Sequence, residues 1–381
     1  MRILHTADLH LGRQLHGFSL ADDHQAVLDQ IVAALSDHQP DVFIIAGDVF
    51  DRPMPPASAQ RQFNAFLNQA RRVSQAAIVI SAGNHDSADR IEAMAIMADP
   101  EKDLIRGALM PQEPALILQD AHGSVAISAV PFAYEHAAKE CFNDPEIASP
   151  EDVLKAQIAS ARAQVPDGAR WIIVAHGFVA GGQTSDAEKA LTRVGGIEYV
   201  AANVFDGASY VALGHLHRPQ KAGGDHIRYS GAPLALGFDE AGAEKSLALV
   251  DLAADGSVDI TPIPITPRRQ LRKLRGKLAE LLAGVPSDDY VHAVLTDDTP
   301  QLDPMKRLRD RFPNTCIITY AREEDRAAGT TQADAGQTLL DDPTSLIDAF
   351  LSLTRQTAAS AAERPLIAQA LDRIDTSEDA T

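Results

Sequence analysis

The chain has 381 residues, 45% of them hydrophobic and 23% charged, a globular composition with room for two or three domains. Collagen, disulfide scaffolds and wholesale disorder are excluded, and no apolar run approaches the ~18 residues a membrane span needs. Lys and Arg number 34 against 53 Asp and Glu, a net charge of −19 that argues against a broadly basic nucleic-acid surface but not against a local one.

In chain order, residues 3–6, 42–46, 77–81, 126–130, 171–175 and 210–213 read as buried strands, being aliphatic without polar alternation. Helical patterns fall between them at about 20–35, 57–72, 89–97 and 151–163. This alternation predicts an α/β sheet covered on both faces. Runs at 227–230, 246–251 and 258–265 follow without long helices and read as hairpins. Prolines 262, 264 and 267 mark a boundary, so residues 1–265 are expected to form one domain. Beyond it a strand at 290–295, a helix at 304–311 and a strand at 316–320 predict a small α+β domain over 266–326.

Residues 327–340 read as a linker. A helical segment over 341–381 is expected from two short amphipathic patterns, at 343–355 and 362–374. Their apolar faces are Leu346, Ile347, Phe350 and Leu351, then Leu366, Ile367, Ala370, Leu371 and Ile374. Helices this short are marginal alone, so these faces predict a partner surface. Cys141 and Cys316 make no C-x-x-C pair, and the N-terminus carries no signal-like run, which together predict reduced thiols in a cytoplasmic protein.

Five predicted strands end in polar residues of one chemical type: Asp8 and His10; Asp48; Asn84, His85 and Asp86; His176; His215 and His217. Ligands of open α/β sheets bind beyond the carboxyl ends of the strands. Each piece alone is ordinary turn chemistry, but five in this placement are not. Imidazole, carboxylate and amide oxygen without thiolate suit Mn²⁺, Fe²⁺, Co²⁺ or Zn²⁺. There are too many ligands for one tetrahedral ion, and two ions sharing a bridging carboxylate clamp the oxygens of a phosphoryl transfer. A hydroxide held between them would be the nucleophile. No Gly-x-Ser-x-Gly nucleophile competes for that role, and no Gly-x-x-x-x-Gly-Lys-Ser/Thr loop is present, so the chain is not itself a P-loop ATPase.

In this order the blocks resemble the calcineurin-like metallophosphoesterases and, within them, the SbcD-type nuclease subunits of bacterial SbcCD complexes. The finer likeness rests on His5-Thr-Ala-Asp-Leu-His-Leu-Gly12, Ala46-Gly-Asp-Val-Phe-Asp51, Gly83-Asn-His-Asp-Ser87, Ala212-Leu-Gly-His-Leu-His-Arg-Pro-Gln220, Tyr229-Ser-Gly-Ala-Pro-Leu234 and Phe238-Asp-Glu240. It covers about residues 1–250 and fades beyond 265. Ala232 and Gly237 depart from it, standing where serine is expected.

The resemblance implies a four-layer α-β-β-α sandwich, a small capping domain and C-terminal helices. It implies that Asp8, His10, Asp48 and His217 hold one metal and Asp48, Asn84, His176 and His215 the other, with Asp48 bridging. His85 would face the scissile phosphate and assist the leaving oxygen, with Asp86 orienting it. Two divalent ions, Mn²⁺ above all, are implied as cofactors. Implied too are double-strand exonuclease and single-strand endonuclease activity in DNA repair, recombination and replication. The implied partner is an SbcC-type ABC ATPase with a long coiled coil, met by a homodimer of this chain within a heterotetramer.

For DNA contact the densest basic run is Arg268, Arg269, Arg272, Lys273, Arg275 and Lys277, six cations in ten residues. Arg13 and Arg52, which follow two of the metal motifs, are further candidates. A solvated strand or helix face explains the run equally well. Two other functions share the motifs: a small-molecule phosphodiesterase or phosphatase of the same superfamily, and a non-catalytic scaffold. The long C-terminal part argues against the first, and the intact ligand set with His85 against the second.

Overall fold

The computed structural model describes residues 1–96, 98–185, 192, 193, 196, 197, 199–322, 347, 351, 359, 360 and 363–367. Two compact units divide the chain. One comprises Met1–Leu274, Ala279–Ala293 and Leu302–Ile318, the other Arg275–Leu278, Val294–Gln301 and Thr319–Thr381.

The first unit opens with β1 (Arg2–Thr6), α1 (Ala21–His38), β2 (Val42–Ala46), α2 (Ala57–Val73), β3 (Ala77–Ser81), α3 (Ala88–Ala95) and β4 (Leu104–Arg106). There follow β5 (Ala115–Asp120), β6 (Gly123–Val130), α4 (Glu135–Phe142), α5 (Pro150–Arg162), β7 (Arg170–His176), β8 (Tyr210–Gly214), β9 (Gln220–Lys221), β10 (Ile227–Tyr229), β11 (Lys245–Leu252) and β12 (Val258–Ile265). Two six-stranded sheets result, ordered β12-β11-β1-β2-β3-β4 and β9-β10-β8-β7-β6-β5. β1 to β4 run parallel in the first. β6, β7, β8 and β10 run parallel in the second. Every carboxyl end expected to carry a metal-type residue therefore lies at one edge of its sheet.

Because alternate strand residues face opposite ways, each sheet buries two apolar surfaces. One set, including Ile3, Ile44 and Val79 with Ile127, Ile172 and Val174, packs sheet on sheet. On the far side of the first sheet, Leu4, Phe43 and Ile45 meet Leu28 and Ile31 of α1 and Phe63 and Phe66 of α2. On the far side of the second, Trp171, Ile173 and Val211 meet Leu154 and Ile158 of α5. The layering is α-β-β-α. The start of α5 is set locally: Ser149 and Asp152 form a reciprocal capping box with Pro150 at the first turn.

Some sequence expectations are corrected. The run at 227–230 makes no hairpin with 246–251. β10 pairs in parallel with β8, whereas β11 crosses to the first sheet and lies antiparallel to β1. β11 and β12 do form a hairpin, with Ala248 opposite Pro262 and Ser246 opposite Pro264. The prolines are tolerated because β12 is an edge strand, where a missing N–H breaks no ladder.

Beyond β12 lie β13 (Leu271–Gly276), α6 (Leu278–Ala283), β14 (Tyr290–Leu295), α7 (Pro304–Arg309) and β15 (Thr315–Tyr320). The three strands make a small sheet in chain order. Within the first unit, the Tyr290 hydroxyl donates to Asp23 Oδ2 at 2.9 Å. Within the second, the Leu278 amide donates to Asp297 at 2.8 Å and the Arg322 guanidinium to the Asp298 carbonyl at 2.7 Å. Residues 364–367 are helical, preceded by a Ser360 amide bonded to Glu363 Oε2 at 2.8 Å. The expected linker at 327–340 and most of the two expected helices lie outside the described residues.

Candidate metal centre

Asp8 and His10 follow β1, Asp48 follows β2, Asn84 and His85 follow β3, His176 ends β7, and His215 and His217 follow β8. The structure brings all eight together across the gap between the two sheets. One potential ligand atom from each of Asp8, His10 and His217 lies within 4.8 Å of the others, and the same holds for Asp8, Asp48 and His176. Asp8, His10, Asp48, His176, His215 and His217 are all buried. Asn84 Oδ1 lies 3.0 Å from His176 Nε2 and 3.2 Å from His215 Nδ1.

Close backbone approach makes this convergence possible. A Cβ on Gly214 would lie 1.8 Å from the Ala46 carbonyl oxygen, so only glycine lets the end of β8 come so near β2. Asp8, His10, Asp48 and His215 all hold left-handed backbone, with φ of 54°, 45°, 50° and 105°. Residues other than glycine hold it at a cost that the surrounding structure must offset.

The histidines are oriented through their second nitrogens. His176 Nδ1 lies 2.9 Å from the Ala46 carbonyl, which can only accept, so Nδ1–H donates and Nε2 faces the centre. His217 Nδ1 stands 3.3 Å from Glu240 Oε1. Glu240 is itself buried against Lys245, whose ammonium also donates to the His217 carbonyl at 2.9 Å. His85 Nδ1 lies 2.9 Å from the Asp51 carbonyl, and the His85 amide donates to Asp48 Oδ1 at 2.8 Å.

Electrostatically the centre sets buried carboxylates against crowded imidazoles. Burial disfavours the His176 imidazolium, yet the Asp48 and Asp8 carboxylates raise it to about 9. Burial pushes the Asp48 carboxyl up, but His176 and His10 hold it far below the usual range. Burial, with the His176 charge beside it, drives His215 down to about 3. Both ring nitrogens of His10 are buried without a hydrogen-bond partner. A protein interior does not leave such atoms bare without cause. Buried carboxylates, orphaned imidazole nitrogens and no thiol fit a pair of divalent cations.

Asp86 is placed differently from expectation. Its carboxylate accepts backbone amides of Val49 at 3.1 Å, Phe50 at 2.9 Å and Gly83 at 3.0 Å, tying the Asp48 loop to the His85 turn. Burial and the nearby Asp48 charge raise it to about 7, against three amides that favour its ionised form. The Asp51 carbonyl, not Asp86, meets the His85 ring nitrogen. Sequence reasoning gave no role to Asp51, to Glu240 with Lys245, or to the Ala46 carbonyl. Asp51 and Glu240 were visible only as motif members, and a backbone acceptor leaves no sequence signal.

The DNA candidates also separate. Arg269 is bonded to both oxygens of Asp23, and its guanidinium lies 4.8 Å over the Tyr290 ring, so it serves the interior of the first unit. Two of its three nitrogens are engaged there, which leaves less of the guanidinium for the DNA contact expected of it. Arg268 pairs with Asp22 at 3.5 Å, Arg272 with Asp289 at 3.4 Å and Arg13 with Asp51 at 3.0 Å. Arg52, Lys273, Arg275 and Lys277 are exposed.

Residues 1–219 match the model of the calcineurin-like phosphoesterases, and residues 267–355 match the SbcD C-terminal model, described as a type 5 capsule protein repressor C-terminal domain. Among solved structures, TT1561 of Thermus thermophilus is similar at 14% identity and a TM-score of 0.40, over 68% of this chain and 98% of that one. GAP50, the anchor in the inner membrane complex of Plasmodium, is similar at 10% identity and a TM-score of 0.41, over 84% and 96%. The chain belongs to the calcineurin-like phosphoesterase family, as a metal-dependent phosphodiester hydrolase of the SbcD type.

Proposed function

We propose that the chain is the Mn²⁺-dependent nuclease subunit of a DNA-end-processing complex. It acts as double-strand exonuclease and single-strand endonuclease in repair, recombination and replication. It works in the cytoplasm, as a homodimer bound to an SbcC-type coiled-coil ATPase in a heterotetramer. The observation that carries the reading is the buried set Asp8, His10, Asp48, His176, His215 and His217, with half-buried Asn84 against His176 and His215 and with His85 fixed beside it. No helix among the described residues is long and apolar enough to cross a membrane.

Asp8, His10, Asp48 and His217 would hold one ion and Asp48, Asn84, His176 and His215 the other. When bound, the ions would lower the pKa of a water and neutralise charge on the phosphodiester. The chain's own residues do the rest. The Ala46 carbonyl and Glu240 fix which nitrogens His176 and His217 present. The Asp51 carbonyl accepts the His85 Nδ1–H, so a ring protonated on both nitrogens presents Nε2–H as the proton passed to the leaving oxygen.

Digestion of end-labelled duplex DNA in Mn²⁺, with and without the partner ATPase, tests this. His85→Ala should lower the rate by about 10²–10⁴-fold, the usual worth of a positioned acid, while elemental analysis still finds two metals bound. Intact DNA alongside cleavage of a small phosphodiester would keep the metal site and reject the substrate.

A further inference from the structure

The strand end of β6 adds something the metal motifs do not contain. It runs from Val130 into Pro131, Phe132, Ala133 and Tyr134 before α4 begins. The Phe132 amide donates to the Ala82 carbonyl at 2.9 Å, two residues before Asn84. Phe132 also lines a cavity together with His176 and Phe178. This turn is therefore anchored beside the metal centre.

Its aromatic rings are arranged in a series. Phe132 meets Tyr134 edge to face, with centroids 5.1 Å apart and planes at 87°. Tyr134 then lies nearly parallel to His136, at 15° and 5.9 Å. Tyr134 is 52% exposed, large for an aromatic ring already buttressed on two sides. Core packing does not require this geometry, and a free side chain would not hold it.

We infer that Phe132, Tyr134 and His136 form a stacking platform for an unpaired nucleobase at the DNA end being cut. The inference rests on the DNA reading above and names how that substrate is gripped. Charge favours it: the chain carries −19, and of the eight candidate cations Arg13, Arg268, Arg269 and Arg272 are already tied to carboxylates, whereas Arg52, Lys273, Arg275 and Lys277 are exposed. Phosphate contacts that supply affinity to basic proteins are correspondingly scarce. Base stacking on an aromatic ring needs no cation, tolerates any sequence and suits single strands.

The test uses the full-length protein and two fluorescent single-stranded oligonucleotides, one intact and one with abasic positions, compared by anisotropy in EDTA. Wild type should prefer the intact strand by about 5- to 100-fold, the range that alanine substitution gives for one stacked base. Tyr134→Ala should abolish the preference, and Tyr134→Trp should retain it. Equal preference in wild type and Tyr134→Ala would overturn the platform while leaving the nuclease reading intact. A wild-type chain that binds neither strand, and cleaves only a small phosphodiester in Mn²⁺, would overturn both.

Discussion

Glu240 shows how much of the centre depends on residues that touch no substrate. It is buried, and burial would raise its carboxyl, yet His217 and Lys245 hold it at about 2. It is thus a fixed anion that sets the tautomer and direction of one ligand ring. Outer partners of metal-ligating histidines typically change metal affinity about 10–100-fold. Glu240→Gln should weaken Mn²⁺ binding by that order in calorimetric titration; unchanged affinity would assign Glu240 to packing alone. The proposed ligands were legible in the sequence because each is a metal-type residue at a strand end. Their supports were not. The Ala46 carbonyl belongs to a residue with no functional side chain, and Asp86, expected to orient His85, instead accepts the backbone amides of Val49, Phe50 and Gly83.

Strands β2 and β3 match their sequence-read spans because they are buried on both faces and read as unbroken apolar runs. β5 escaped notice: it is an edge strand, half exposed, and its pattern competes with ordinary surface variation. α4 is short and charged, so no helical period emerges from it. The partnership of β11 with β1, more than two hundred residues away, depends on register that local pattern does not encode. At the meeting of β8 with β2, a Gly214→Ala side chain has nowhere to go, because the atom it strikes is backbone. Urea denaturation should show a loss of about 1–3 kcal/mol or more, as for other overpacked sites. Mn²⁺ titration should weaken with it, since Ala46 also orients His176. A stable variant with normal affinity would mean that the sheets can part locally at no cost.

At the scale of the molecule, two buried histidines make folding sensitive to acid. Burial lowers His5 to about 3 and His24 to about 4, from an unfolded value near 6.5. The unfolded chain therefore takes up these protons first, and stability drains away as pH falls from the unfolded pKa toward the folded one. It is intact above about 6.5, and at pH 5 each group withdraws about 2 kcal/mol. In EDTA, His24→Phe should raise the denaturant midpoint relative to wild type by more at about pH 5 than at about pH 7.5. Parallel losses in wild type and variant would acquit His24. The four left-handed backbone sites among the ligands carry a different consequence. Each stores roughly 1–3 kcal/mol of strain, and Asp8 and Asp48 add buried like charges. Glycine at any of them would relax the chain and ruin the centre. Laboratory evolution rewarding heat resistance alone would therefore drift toward robust, inert proteins, and only a paired demand for turnover would keep these positions in place.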